Sequence, residues 1–146
     1  MFKTILCSYD GSDHAQRALA TAAHLSNTLD ARLHICHTPQ RDIPPIVVGA
    51  LIAPLAHPPS DAQMAEATRH LMADASARAK EMGGQQVVTH VGGTDPAKHA
   101  LSLAKDINAD LIVMGRRGLG TVGSLALGSV SQAISHGTRC ACLTVV

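Results

Sequence analysis

Short apolar runs alternate with segments of helical periodicity along the chain, and this alternation constrains the fold more than any other feature. The apolar runs occupy residues 2–8, 31–37, 85–90, 109–114 and 140–146. Helical spacing of apolar side chains fills residues 12–30, 61–82, 95 onward and 129–136. Strands that alternate with helices predict an α/β fold, with a mostly parallel sheet and helices on both faces. A chain of 146 residues suits one such domain, spanning 1–146.

Polar residues at the predicted helix starts support these boundaries. Ser12 follows an Asp-Gly turn, and Asp95 precedes Pro96, so each predicts an N-cap. Ser129 with Gln132 three residues later matches a capping box, which predicts that Ser129 caps the last helix.

Residues 38–60 differ from the rest of the chain, because they contain six of its seven prolines. We expect a long connection between the second strand and the second helix. Connections of this length in compact domains are usually functional or mobile.

Composition argues against several classes of protein. The net charge is only +1, and the chain has one Phe, one Tyr and no Trp, so a nucleic-acid surface is not expected. No apolar run approaches the roughly 18 residues of a membrane span, and the apolar N-terminus is too short for a signal peptide. We therefore expect a cytoplasmic protein. The nine histidines are scattered without metalloprotease spacing, so no metal ligand is predicted.

Residues 115–131 contain five glycines and two overlapping phosphate-binding patterns. The first, GLGTVG at 118–123, spells the GxGxxG of dinucleotide-binding proteins. That fingerprint requires the first strand-to-helix turn and an acidic residue about 20 positions later. Here it follows the fourth strand, and the chain has no Asp or Glu after Asp110. A dinucleotide site is therefore disfavoured, and the absence of Gly-Lys-Ser/Thr excludes a Walker A loop.

The second pattern places Gly115, Gly118 and Gly128 around a loop that ends on a helix. At Gly115 a missing side chain would let a ligand approach the backbone, and Gly118 can adopt positive φ in the loop. Gly128 leads onto a helix N-terminus, where unpaired N–H groups favour phosphate. The hydroxyls of Ser129 and Ser131 would add donors. This spacing predicts the phosphate site.

With ILCSYDGS near the start, Asp95-Pro96, ADLIVMGRRG and the spacing G-2x-G-9x-G-S, the chain resembles the universal stress proteins of the UspA type, in their ATP-binding branch. The resemblance implies a Rossmann-like or flavodoxin-like open sheet of five strands in the order 3-2-1-4-5. It also implies ATP, alone or with Mg²⁺, in the cleft between the first and fourth strands. Family members commonly form homodimers through the last strand, here Leu143 to Val146.

The resemblance also assigns residues to the parts of the nucleotide. The nucleotide-binding set it implies is Ser8, Tyr9, Asp10, Thr38, Met114, Gly115, Arg117, Gly118, Gly128, Ser129, Val130 and Ser131. Ser8, Tyr9 and Thr38 would border the base, Asp10 the ribose, and the glycine-rich segment the phosphates. The chain departs from the family at Ala141, where Pro is usual, at Thr38, where Val is frequent, and near Ser8, where Pro is frequent.

Several alternatives stay open from the sequence. Asp10 could only shape its turn, Arg116 and Arg117 could be solvated, and Tyr9 could only pack. The main hypothesis is an ATP-binding, homodimeric regulatory module with no catalytic residue assigned. The others are a slow ATPase or autokinase, and a stress-response interaction protein that does not use nucleotide.

Overall fold

The computed structural model describes residues 1–40, 59–118 and 127–146. Within these ranges five strands alternate with four helices. In chain order the elements are β1 (Thr4–Ser8), α1 (Asp13–Leu29), β2 (Arg32–His37), α2 (Asp61–Glu81), β3 (Gln85–Val91), α3 (Pro96–Asp106), β4 (Leu111–Gly115), α4 (Ser129–Gly137) and β5 (Ala141–Val145). Most of the proline-rich connection predicted at 38–60 lies outside the described residues.

The strands form one sheet in the order β3-β2-β1-β4-β5, and every neighbouring pair is parallel. The predicted fold class and strand order are confirmed. Ser8 at the end of β1 is in register with Met114 near the end of β4. The carboxyl ends of these two strands therefore meet where the strand order reverses, which is the usual ligand position in open α/β sheets.

Both faces of the three central strands β1, β2 and β4 are buried, which explains their continuous apolar runs in the sequence. One face packs against α1 and α2, through residues such as Ile5, Leu33 and Val113. The opposite face packs against α3 and α4, through Leu6 and Ile112 among others. Each fully buried Leu or Ile contributes about 1.5–3 kcal/mol to stability, so these two layers fix the central strands.

The helix N-caps agree with the sequence at two of the three predicted positions. Ser12 accepts a hydrogen bond from the Ala15 N–H, and Asp95 accepts one from the Lys98 N–H. The capping box predicted at Ser129 is wrong. The N-cap of α4 is Gly128, whose N–H donates to the Arg116 carbonyl over 2.8 Å, and Ser129 is the first helical residue.

No helix within the described residues is long and apolar enough to cross a membrane.

The Ser26 hydroxyl joins three elements at the amino-terminal edge of the sheet. Its side chain is fully buried at the end of α1. Its Oγ donates to the Ala31 carbonyl over 2.6 Å and accepts from the Gln85 N–H over 2.9 Å. A single hydroxyl thus ties the end of α1 to the starts of β2 and β3.

Replacing this hydroxyl is expected to destabilise the fold. Ser26→Ala leaves the Ala31 carbonyl and the Gln85 N–H without their partner, which should cost about 2 kcal/mol. Thermal or urea unfolding measures this difference. Thr28→Ala is the control, because Thr28 is exposed and bonds only within α1, to the His24 carbonyl. Equal stability of the two variants would contradict the assignment.

Candidate functional site

A cavity of about 530 Å³ opens at the carboxyl ends of β1, β2 and β4. We call it the β1–β4 cleft, and its walls are completed by α2 and the N-terminus of α4. Its volume is in the range of small-molecule sites. The twelve residues of the predicted nucleotide-binding set all line it. Two other cavities, between α1 and α2 and between α2 and β3, contain none of them. The structure therefore brings the set together, and its contact with a ligand stays a prediction.

The N-terminus of α4 faces the cleft without a side-chain cap. Gly128 is the N-cap, and a glycine has no side chain to accept from the first turn. The backbone N–H groups of Ser129, Val130 and Ser131 have no hydrogen-bond partner among the described residues. Together with the positive end of the helix dipole they make this wall of the cleft suited to an anion.

The Ser131 hydroxyl does not have the role predicted from the sequence. It is buried, with 3% of its surface exposed, and it donates to the carbonyls of Arg116 and Gly128, each over 2.9 Å. Because the single hydroxyl proton is shared inside the protein, Ser131 holds the turn after β4 against α4. Its backbone N–H remains available to the cleft.

Gly118 is required for a reason other than the predicted one. Its φ is not positive, so it does not use the left-handed conformation that a glycine permits. A Cβ at this position would instead lie 2.5 Å from Oδ2 of Asp10. The absent side chain leaves room for the Asp10 carboxylate at the rim of the cleft.

Gly115 also owes its identity to packing. A Cβ there would come within 2.8–2.9 Å of the backbone of His14 and Ala15. The first turn of α1 therefore packs closely on the end of β4, and the contact of Gly115 with a ligand stays a prediction.

Asp10 shapes the turn between β1 and α1. Its Oδ1 accepts from the Ser12 N–H over 3.0 Å, and Gly11 between them has a φ of +84°, which a side chain would strain. The turn role considered from the sequence is confirmed, and it holds the carboxylate beside Gly118, at the cleft.

The two arginines after β4 carry donors without acceptors. The Nε atoms of Arg116 and Arg117 are buried and have no partner among the described residues. Arg117 lines the cleft. Buried donors are normally satisfied, so an anion bound beside Arg117 would supply a missing acceptor.

The cleft floor contains no reactive side chain at Tyr9 or Cys36. The Tyr9 ring packs in the core between the sheet and α1/α2 with 5% of its surface exposed, and burial raises the pKa of its hydroxyl. Burial also raises the pKa of the Cys36 thiol to about 12, so it stays protonated and is not a nucleophile. The packing role considered for Tyr9 is confirmed for its ring.

Sequence reasoning missed the contribution of α2 and of the histidines. Met64, Thr68 and Leu71 line the cleft, although their helical spacing indicates only a buried face. His37 also lines it, and His99 contacts the Thr38 side chain behind its wall. Spacing along the chain did not indicate that these residues lie at the cleft, because they come together only through tertiary packing.

Within the described residues no group of three His, Cys, Asp or Glu side chains could hold a metal ion.

The chain has clear relatives. The sequence model of the universal stress protein family matches residues 1–145. A universal stress protein of Thermus aquaticus, named for its place in the 3' region of a QAH/OAS sulfhydrylase, is 39% identical, and the alignment covers 99% of each chain.

Solved structures share the fold across the whole chain. UspA from Lactobacillus plantarum superposes with a TM-score of 0.78 at 21% identity, covering 99% of this chain and 98% of the other. A universal stress protein solved in complex with cAMP gives 0.72 at 24% identity, covering 99% and 97%. One from Archaeoglobus fulgidus in complex with dAMP gives 0.69 at 18% identity, covering 100% and 98%. With the family match over residues 1–145 and a close relative along its full length, the chain belongs to the universal stress protein family.

Proposed function

We propose that this protein binds ATP in the β1–β4 cleft and acts as a nucleotide-dependent regulatory module in the cytoplasm. The observation that carries the proposal is the N-terminus of α4, which has no side-chain cap. Three of its N–H groups have no partner among the described residues, and they lie on one wall of a cavity that reaches the ends of β1 and β2. The adenine nucleotides bound by two structural neighbours support the same class of ligand.

The lining residues divide naturally between the parts of ATP. The backbone of Ser8 and Tyr9, with Thr38, would border the base, and Asp10 would accept from the ribose hydroxyls. Arg117 and the first turn of α4 would bind the phosphates, as in other helix N-terminal phosphate sites. Mg²⁺ would enter on the nucleotide, bound mainly through phosphate oxygens.

Binding is tested by thermal unfolding with and without ATP. At one hundred times its Kd, ATP should raise the free energy of unfolding by about 2.7 kcal/mol, which corresponds to several degrees in Tm. No shift at millimolar ATP would favour the alternative, an interaction protein that does not use nucleotide.

The Gly118→Ala variant tests the place of the ligand. Its Cβ would displace the Asp10 carboxylate from the cleft rim. The loss of one charged hydrogen bond to ribose should weaken ATP binding at least about tenfold, measured by titration calorimetry. Gly92→Ala is the matched control, because its Cβ would make only an ordinary contact, 3.6 Å from His99 Nε2, outside the cleft. Equal affinities of the two variants would place the ligand elsewhere.

Catalysis is separated from binding by a timed incubation with ATP and Mg²⁺. Phosphoryl transfer needs a positioned base in addition to a phosphate site, and Asp10 is the one carboxylate among the described residues that line the cleft. We expect no turnover above background. Turnover that disappears in Asp10→Ala would instead establish a slow ATPase or autokinase.

We further propose that the protein forms a homodimer through β5. Among the described residues, no strand pairs with the outer edge of β5. The Ala141 N–H donates to the Asp110 carbonyl, and the Val145 carbonyl accepts from the Arg116 N–H, so these residues bond towards β4. Alternation along the strand directs the backbone groups of Cys142 and Thr144 to the free edge. A second copy can pair with such an edge.

Replacing an outward N–H should abolish the dimer and leave the monomer folded. Thr144→Pro removes an edge donor without removing a bond to β4, so light scattering after size exclusion should show a monomer. Thr144→Val keeps the N–H and the branched side chain and should stay dimeric. A monomeric wild-type protein, or a dimeric Thr144→Pro protein, would contradict this proposal.

A further inference from the structure

Four histidines cluster around the carboxyl ends of β2 and β3, although they are scattered in the sequence. His34 and His37 lie on β2, His90 on β3 and His99 on α3. Nδ1 of His34 is 2.8 Å from Nε2 of His90, and the two rings stack with centroids 5.1 Å apart. The other two rings bond to the wall of the β1–β4 cleft.

The bonds of His37 and His99 differ in whether their donor and acceptor can exchange roles. Nδ1 of His37 is 2.9 Å from the Tyr9 carbonyl, which can only accept, so this nitrogen carries a proton in every state. Nδ1 of His99 is 2.8 Å from Oγ1 of Thr38. A hydroxyl can either donate or accept, so the direction of this bond depends on His99.

Thr38 lies between His99 and the β1–β4 cleft. It lines the cleft and is 6% exposed, whereas His99 is not among the cleft residues. When Nδ1 of His99 carries no proton, it accepts a hydrogen bond from the Thr38 hydroxyl. The hydroxyl oxygen then offers an acceptor to the cleft. When His99 is protonated, Thr38 must accept from it, and the hydroxyl proton is turned to the cleft as a donor.

We propose that the Thr38 hydroxyl meets the 6-position of the purine and that the proton on His99 sets the preference for a 6-amino over a 6-oxo base. This inference rests on the proposed nucleotide site. A 6-amino group donates and needs an acceptor, which neutral His99 provides. A 6-oxo group accepts and is favoured by the donor that protonated His99 creates.

The surroundings of His99 favour its neutral form. Burial lowers the pKa of His99, and the neighbouring His37 lowers it further. From β3, His90 also faces it, and the pKa of His90 is lowered by burial and by His99. On its own helix the charged neighbours are Lys98 and Asp95, whose carboxylate already caps the Lys98 N–H.

The lowered pKa of His99 determines how the preference for a 6-amino base depends on pH. A lowered pKa means that His99 gains its proton only below the usual histidine value of about 6.5. The preference for the 6-amino base should therefore be constant near pH 7.5 and decrease as the pH falls through the pKa of His99. His34 and His90 share one proton in their own bond, and the side-chain bonds to Thr38 and to the Tyr9 carbonyl come from His99 and His37 instead.

The experiment compares the affinities of ATP and ITP between pH 7.5 and pH 5.5 by titration calorimetry. The two nucleotides carry the same triphosphate, so its titration cancels in their affinity ratio. Reversal of one hydrogen bond should lower the ATP-to-ITP affinity ratio about tenfold over this range.

Two variants identify the residues responsible. His99→Asn keeps a group that can donate or accept near the position of Nδ1 but does not titrate, so the ratio should become independent of pH. Thr38→Val removes the hydroxyl and should give a ratio that is lower at pH 7.5 and equally flat. His24→Asn, at an exposed site on α1, is the control and should keep the wild-type slope.

The outcomes separate the two proposals. ATP binding with a ratio that does not change with pH in the wild-type protein, or a slope that persists in His99→Asn, overturns this inference and leaves the proposed function intact. Absence of ATP binding at pH 7.5 overturns both.

Discussion

The parallel pairing of β1 with β4 is the constraint on which the rest of the structure depends. Because Ser8 and Met114 are in register, the loops that leave these two strands emerge side by side. Every later feature of the cleft uses this proximity. Asp10 from the first loop lies against Gly118 from the second, and the start of α1 lies against Gly115. The absent side chains of Gly115 and Gly118 therefore leave room for the first loop and the start of α1.

The turn after β4 shows how few contacts position the wall of the cleft that the start of α4 forms. The Arg116 carbonyl accepts from the Gly128 N–H and from the Ser131 hydroxyl, and the Arg117 carbonyl accepts from the Ser12 hydroxyl. These bonds attach the start of α4 and the start of α1 to one short stretch of backbone. Two helix N-termini are thereby held at the same edge of the sheet, where their dipoles add.

The fold was predictable because its signals are local and repeated. Each buried strand is a continuous apolar run, and Ser12 and Asp95 mark helix starts through bonds to residues three positions later. Membership of the cleft was also predictable from the glycine spacing and the family resemblance. The physical role of individual residues in the cleft was not predictable from the sequence. Whether the Ser131 hydroxyl donates to a ligand or to the Arg116 carbonyl depends on a partner across a turn. Whether Gly118 is needed for a positive φ or to leave room for Asp10 depends on a partner more than a hundred residues away. The histidine cluster shares this origin, since β2, β3 and α3 meet only in the folded chain.

The buried position of Tyr9 has a spectroscopic consequence. The chain contains no tryptophan and a single tyrosine, so all of its phenol and indole emission comes from one ring. That ring packs in the core, Tyr9 is among the residues that line the cleft, and the Tyr9 carbonyl is bonded to His37. The protein thus carries a built-in optical reporter, free of background from other indoles or phenols, at the boundary between its core and its cleft.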